Sequence, residues 1–238
     1  MSDEIDIRVL DDPAEMQQLM VLLGQIWGSH APLVGVELLR AIEHAGGYVA
    51  AAHVGGQLVG GSMGFLGRHD GAPSLHSHVT GVLPGVRRTG LGRAMKLHQR
   101  AWAAEHGLTW ITWTFDPLVR RNARFNIDVL GAEVHEYLVD FYGPMDDAIN
   151  SGDESDRLLV AWSTDPSATT EARPSAPPTG GVTAVATPED IVVLRRTDPS
   201  GAATWRHRVR TELGDALHAG ARVVGFTRTG EYLLDIGP

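Results

Sequence analysis

Two histidines two residues apart, His76 and His78, lead into a basic, glycine-spaced turn in the run HSHVTGVLPGVRRTGLG at 76–92. Alternate residues of a strand face the same side, so both imidazoles project together if this run begins as a strand. Imidazole titrates near neutrality and can relay a proton from an ammonium, directly or through water. The turn offers a different chemistry. Gly90 and Gly92 leave the backbone uncovered, so several amide N–H groups and the positive end of the following helix can meet a phosphate at close range. Arg87 and Arg88 add charge beside them. A P-loop would need Gly-Lys-Ser/Thr, and a dinucleotide site would normally place its glycines at the first strand of a sheet; neither pattern holds here. A plain strand-to-helix turn with solvated arginines is the bland alternative, as is a pair of histidines filling a half-exposed strand face.

Other polar residues carry weaker signals. Asp116, in WTFDPL, falls at the end of a predicted strand, where its carboxylate could orient an amine, although Asp-Pro is equally a turn signal. His98 sits on the apolar stripe of a predicted helix and suits a core or interface role. The eleven histidines are scattered, and His-x-His without a nearby carboxylate pattern is a poor zinc site, so no metal is expected.

These groups need elements to position them. Ile5–Leu10 alternates as a first strand, and Asp11-Asp12-Pro13 starts a helix whose face is Leu19, Leu22, Leu23 and Ile26. A second helix is predicted at Val36–His44. Tyr48–Val54 and Leu58–Leu66 read as a hairpin around Gly55-Gly56, and Leu75–Leu83 as the third strand of that meander. The helix opened by Gly90 carries Leu91, Ala94, Met95, Ala101 and Trp102 on one stripe and ends near Gly107. A strand at Trp110–Phe115, a helix at about Asn122–Leu130 and strands near Val134–Phe141 and Arg157–Trp162 follow. Asp165–Gly181 is rich in Pro, Ser, Thr and Ala and reads as a linker. Beyond it, Ile191–Leu194 reads as a strand, Ala203–Leu217 as a helix, and Arg222–Thr227 with Glu231–Ile236 as a hairpin.

The order Arg87-x-x-Gly90-x-Gly92 after Val82-Leu83-Pro84 resembles the coenzyme A pyrophosphate loop of the GNAT superfamily, the GCN5-related N-acetyltransferases, usually written Gln/Arg-x-x-Gly-x-Gly/Ala. The element order over about residues 5–163 is also that family's. The resemblance implies an α/β (α+β) GNAT fold: a mixed, mostly antiparallel sheet with splayed central strands, flanked by helices, plus a small α/β C-terminal extension. It implies a GNAT domain at 1–164; past the linker at 165–181, the extension at 182–238 is small enough to bury little surface alone and is expected to pack on the body or on a partner subunit, as in a homodimer. Acetyl-CoA or another acyl-CoA would be the co-substrate, held by Val82, Arg87, Arg88, Thr89, Gly90, Leu91, Gly92 and Arg93. His-x-His followed by Val82, arginine and the two glycines has the spacing of the arylalkylamine N-acetyltransferases, where paired histidines form a water-linked base. Asn122 matches the asparagine that often opens the next helix and binds the pantetheine arm, though it also suits a helix cap. Many members protonate the thiolate with a tyrosine four residues before the glycine ending that helix. Here the glycine matches Gly131 and the position holds Ile127. Either Tyr137 or Tyr142 takes that role, or the thiolate leaves without a dedicated acid, or catalysis is weak.

Composition narrows the classes. The 238 residues suffice for one large domain, or for one of about 160 residues with a smaller partner. A net charge of -9 argues against a general nucleic-acid binder. Lys96 is the only lysine, and the arginines cluster at 87–93 and 120–124. There is no cysteine, the N-terminus is acidic, and no apolar run approaches the ~20 residues of a membrane span. The expectation is a cytoplasmic protein with no membrane or nucleic-acid partner. It would transfer an acetyl or other short acyl group, such as succinyl, to the amine of a small molecule such as an amino acid. The alternatives are a catalytically silent acyl-CoA sensor and a protein or peptide acetyltransferase.

Overall fold

The computed structural model describes residues 4–28, 34–86, 89–145, 152–167 and 181–237. The chain forms two compact units, Met1–Thr112 with Ser163–Asp165, and Trp113–Trp162 with Pro166–Pro238.

The first unit begins with β1 (Ile5–Val9) and α1 (Pro13–Trp27). Asp12 caps α1 by accepting the Ala14 N–H at 2.9 Å, Pro13 fits the first turn, and Gly28 closes the helix at φ 60°. Then come α2 (Val36–His44), β2 (Tyr48–Val54), β3 (Gln57–His69), β4 (Ala72–Val82), α3 (Leu91–Glu105) and the start of β5 (Trp110–Phe115). β1 to β4 pair antiparallel in sequence order. The β3–β4 hairpin runs further than the sequence reading placed it, closing on Asp70-Gly71, both at positive φ (48° and 74°). That is the geometry of a tight two-residue turn, which Asp-Gly favours.

Helices cover both faces of this sheet. Leu19, Leu23, Leu39, Val49 and Met63 form the core on the α1 and α2 side. Leu91 and Met95 of α3 pack with Ala52 and Val59 on the other. Adjacent glycines of β3 mark how closely the helices approach. A Cβ at Gly61 would lie 1.9 Å from Leu19, and one at Gly60 would lie 3.1 Å from Met95 Sδ.

The strand order of the large sheet is β1-β2-β3-β4-β5-β7-β6, with β6 (Glu133–Leu138) and β7 (Arg157–Ser163) antiparallel and β4 parallel to β5. It is the mixed, mostly antiparallel sheet flanked by helices that the sequence implies. The β4–β5 ladder is short: Ser74, Leu75 and His76 pair with Trp110, Ile111 and Thr112, and the pairing stops there.

The second unit contains the rest of β5, α4 (Arg120–Arg124) continued by a π-helical turn at Phe125–Val129, β6 and β7. It also holds a three-stranded sheet of order β8-β10-β9, from β8 (Val182–Ala186), β9 (Arg222–Phe226) and β10 (Glu231–Asp235). The predicted strand at Ile191–Leu194 is instead part of a helix, α5 (Ile191–Thr197). Asp190 caps it by accepting the Val193 N–H at 3.0 Å, which outweighs the β-branched run. α6 (Pro199–Val209) starts four residues before the predicted helix, capped by Asp198, and runs on through a π-helical turn at Arg210–Gly214 into α7 (Asp215–His218). Among the described residues no helix is long and apolar enough to cross a membrane.

Candidate active site

The glycine turn joins β4 to α3 through a single 3₁₀ turn at Pro84–Val86. Thr89 closes it, its N–H and hydroxyl both donating to the Val86 carbonyl at 3.2 and 2.8 Å. Gly90 occupies the left-handed region at φ 84°, where a side chain would be strained, and its carbonyl accepts the first helical bond from Ala94 at 3.0 Å. Among the described residues no side chain caps α3. The first-turn amides of Leu91, Gly92 and Arg93 therefore retain their donor capacity at the positive end of a fifteen-residue helix. A Cβ built on Gly90 would meet nothing within 4 Å, so the turn is open where a pyrophosphate would approach. The donor set suits that group. Leu91 is buried and anchors the helix, Gly92 and Val82 are half-buried, and Thr89, Gly90 and Arg93 are exposed. Arg87 and Arg88 lie outside the described residues.

Upstream, β4 is irregular at the imidazoles. Met63 of β3 pairs with Val79 but Gly64 pairs with Ser77, so His78 is the extra residue of a β-bulge. The bulge keeps both rings on one side: their centroids lie 6.4 Å apart, and Phe65 contacts His76 at 5.1 Å and His78 at 5.9 Å. His76 sits where the ladder to β5 ends, its Nδ1 3.1 Å from Thr112 Oγ1. Burial, then His78 and Lys96, push His76 down from 6.5 to about 4. His78 is more exposed, and partial desolvation lowers it as well. Both shifts favour the neutral imidazole, the form able to accept a proton.

On the opposite face, α3 buries polar side chains that the apolar-stripe reading did not anticipate. Lys96 Nζ donates to Ser77 Oγ at 2.8 Å and to Gln99 Oε1 at 3.2 Å. Gln99 Nε2 donates to Ser62 Oγ at 3.2 Å, and Ser62 is 2.8 Å from Thr80 Oγ1. Burial brings Lys96 down from 10.5 to about 7. The sequence signal was there, a lone lysine one turn inside the helix, but nothing in its spacing marked it as internal. His98 is 2.8 Å from the Tyr48 hydroxyl through Nδ1, the satisfied core histidine its position suggested.

Asp116, Asn122 and Tyr142 belong to the second unit. The Asp116 carboxylate is 5% exposed and already engaged: Arg206 donates to both its oxygens at 2.8 and 3.0 Å, Arg195 donates to it as well, and the Leu118 N–H lies at 2.9 Å. Both arginines also bind Asp153. Burial alone would raise the Asp116 pKa, but Arg206 and Arg195 outweigh it and hold it at about 2. A carboxylate so occupied is a structural anion. Arg206 and Arg210 meet carboxylates of the chain itself; Arg210 binds Asp156 and Glu154, each at 2.7 Å. Asn122 lies in the first turn of α4 and does not cap it; Val119 holds the cap position. Tyr142 is exposed, its hydroxyl 3.0 Å from Thr114 Oγ1. Tyr137 donates to Asp156 at 2.7 Å, which together with burial raises its pKa. Ile127 is buried in the π-helical turn.

Residues 2–117 match the acetyltransferase (GNAT) domain family. No curated protein matches the sequence. Among solved structures, Naa50 of Arabidopsis thaliana, in complex with the bisubstrate analogue CoA-Ac-MVNAL, aligns at TM-score 0.52 and 17% identity over 67% of this chain and 98% of its own. The putative acetyltransferase yncA of Salmonella typhimurium, with acetyl-CoA, aligns at TM-score 0.51 and 17% identity over 71% and 98%. The ribosomal-protein-S18-alanine N-acetyltransferase of Escherichia coli aligns at TM-score 0.52 and 14% identity over 68% and 94%. At these identities the likeness establishes the fold.

Proposed function

The chain carries a GNAT acetyltransferase domain, and with that as premise we propose that it transfers an acetyl or other short acyl group from coenzyme A to the amine of a small molecule. One observation carries the reading. A bulged strand bearing two imidazoles whose pKa values are lowered precedes a helix N-terminus with no side-chain cap, so a proton acceptor and an anion cradle share one stretch of sequence, His76 to Arg93. The cradle takes the pyrophosphate on the amides of Leu91, Gly92 and Arg93, with Val82 and Thr89 beside it and Arg87 and Arg88 adding charge. Where the β4–β5 ladder stops at His76, the remaining length of β4 has backbone groups to offer an extended amide-bearing arm. Asn122 is a further candidate for that arm.

In the reaction the neutral amine attacks the thioester carbonyl, a C–N bond forms, the C–S bond breaks and the thiolate departs. An N–H proton passes to His76 or His78, directly or through water. With Nδ1 of His76 facing Thr112, Nε2 is the nitrogen left for that exchange. Of the two tyrosines, Tyr142 is the candidate to return a proton to the thiolate, because the Tyr137 phenol is committed to Asp156. Asp116 is left out of the chemistry, being neutralised by two arginines.

Thiol release, measured while a panel of small amines, amino acids and peptides is offered with acetyl-CoA and succinyl-CoA, tests the proposal. Release that depends on a small amine is the expected result. Tight binding of acyl-CoA with no release across the panel would mark a sensor, and release only with peptides would move the acceptor to a protein.

A further inference from the structure

The buried polar cluster under α3 has no part in the chemistry above, yet its central contact falls on the residue between the two imidazoles. We propose that Lys96 is a positioning residue for His76 and His78, acting through Ser77 from the opposite face of the sheet. The inference rests on the proposed role of these histidines as base, and it gives that base a built-in support.

Successive strand residues face opposite sides, so the side that presents His76 to Phe65 turns Ser77 toward α3. At a bulge the ladder is locally disrupted and one residue is left unpaired, so a side-chain contact there can add a restraint. Lys96 supplies it: the ammonium bonds Ser77 Oγ before the bulge, and the chain of Gln99, Ser62 and Thr80 secures the strand after it. Ser62 also donates to the Val79 carbonyl at 3.1 Å, directly beyond His78. A fully connected network of this kind fixes a unique conformation where an apolar contact would tolerate slippage. Buried lysine is a costly way to build it, since an ammonium withdrawn from water is destabilised, and methionine would fill the same space. The charge has a second use. The titratable groups acting on His76 are His78 on its own strand and Lys96 on α3, while β3 and β5 present Phe65 and Thr112. At acid pH Lys96 is protonated and resists a second positive charge on His76, so the imidazole stays an acceptor over a wider range.

The test is an NMR titration of the His76 ring in the full chain, compared with Lys96→Met and with Ser77→Ala. Lys96→Met should move the His76 midpoint up by roughly half a unit or more, because a positive neighbour is gone. Ser77→Ala keeps the charge and removes the strap, so it should leave that midpoint within a few tenths of a unit. It should instead accelerate hydrogen exchange of the amides at 76–79 and lower kcat with KM for acyl-CoA unchanged. An unmoved His76 midpoint in folded Lys96→Met, or unchanged exchange at the bulge in Ser77→Ala, would overturn the proposal. Neither readout needs the histidines to be the base, which is decided separately by replacing them.

Discussion

A single methylene carboxylate at Gly92 is enough to test the anion cradle. The backbone there is helical, so Gly92→Asp imposes no left-handed strain of the kind expected at Gly90, and its negative charge repels a pyrophosphate. Wild-type protein should melt higher in the presence of CoA, and the variant should fold but show no such shift. Equal CoA affinity in the two proteins would remove the cradle. For the imidazoles, His76→Gln with His78→Gln should lower turnover by about 10² to 10⁴-fold while acyl-CoA binding stays nearly unchanged. The position of the acid limb is sharper. Since burial lowers His76 to about 4, kcat/KM expressed per neutral amine should hold down to well below the ordinary histidine range and fall only as pH approaches about 4. A limb at 6.5 would assign the proton to another group or to the amine itself. Lys96 adds a stability signature. Its folded value of about 7 lies below the 10.5 of an unfolded chain, so the unfolded state holds more protons between those values. That term makes the protein more stable as pH rises from about 7 toward 10, and urea titrations of Lys96→Met should show the slope flattened.

At the level of elements, the sequence was readable wherever a local signal met a local need. Asp12-Pro13 starts α1 with a capping carboxylate and a preset φ, while Gly55-Gly56 turns the first hairpin and Gly90 opens α3 at positive φ. The Asp70-Gly71 turn carries an equally good signal, but the apolar run ends at Leu66, short of it, and masks the full length of the strand. Two failures have other causes. Ile191–Leu194 looked like a strand because three of its four residues are β-branched, but the Asp190 cap and burial of Ile191 decide for helix. The bulge in β4 left no mark, since it depends on how β3 registers against it. Asp116 was invisible as a structural anion for a plainer reason: Arg195 and Arg206 lie 79 and 90 residues away. Replacing Arg206 with Ala strips one buried partner from two buried carboxylates, and should cost about 3–5 kcal/mol in a denaturant titration. Asp116 itself contributes stability above its ordinary 3.8, lost as pH falls toward 2. A loss under about 1 kcal/mol in Arg206→Ala would mean that Arg195 alone satisfies both anions.

For the whole molecule, the question is whether the last 57 residues, Val182 to Pro238, are a module or part of a larger fold. Their sheet has three short strands, too few to enclose a core, and its most buried residues are completed by atoms from elsewhere in the second unit. Tyr232, fully buried, donates its hydroxyl to the Pro117 carbonyl at 2.7 Å. Arg206, also fully buried, has both its carboxylates at 116 and 153. Arg120 reaches Thr187, and the Phe226 N–H donates to Asp128 at 3.3 Å. A peptide of 182–238 would leave a guanidinium and a phenol without these partners, and a chain this small cannot spare several kcal/mol against its conformational entropy. Such a peptide should therefore give no cooperative urea transition. The complementary loss should appear in the rest of the chain: cut after residue 167, it keeps the cradle and the imidazoles but leaves Asp116 and Asp153 buried without Arg195 and Arg206. It should melt well below the full chain, and adding the 182–238 peptide should restore part of the difference. A cooperative monomeric transition in the isolated peptide, with an unchanged melting point in the shortened chain, would make the extension an independent module joined only by its linker.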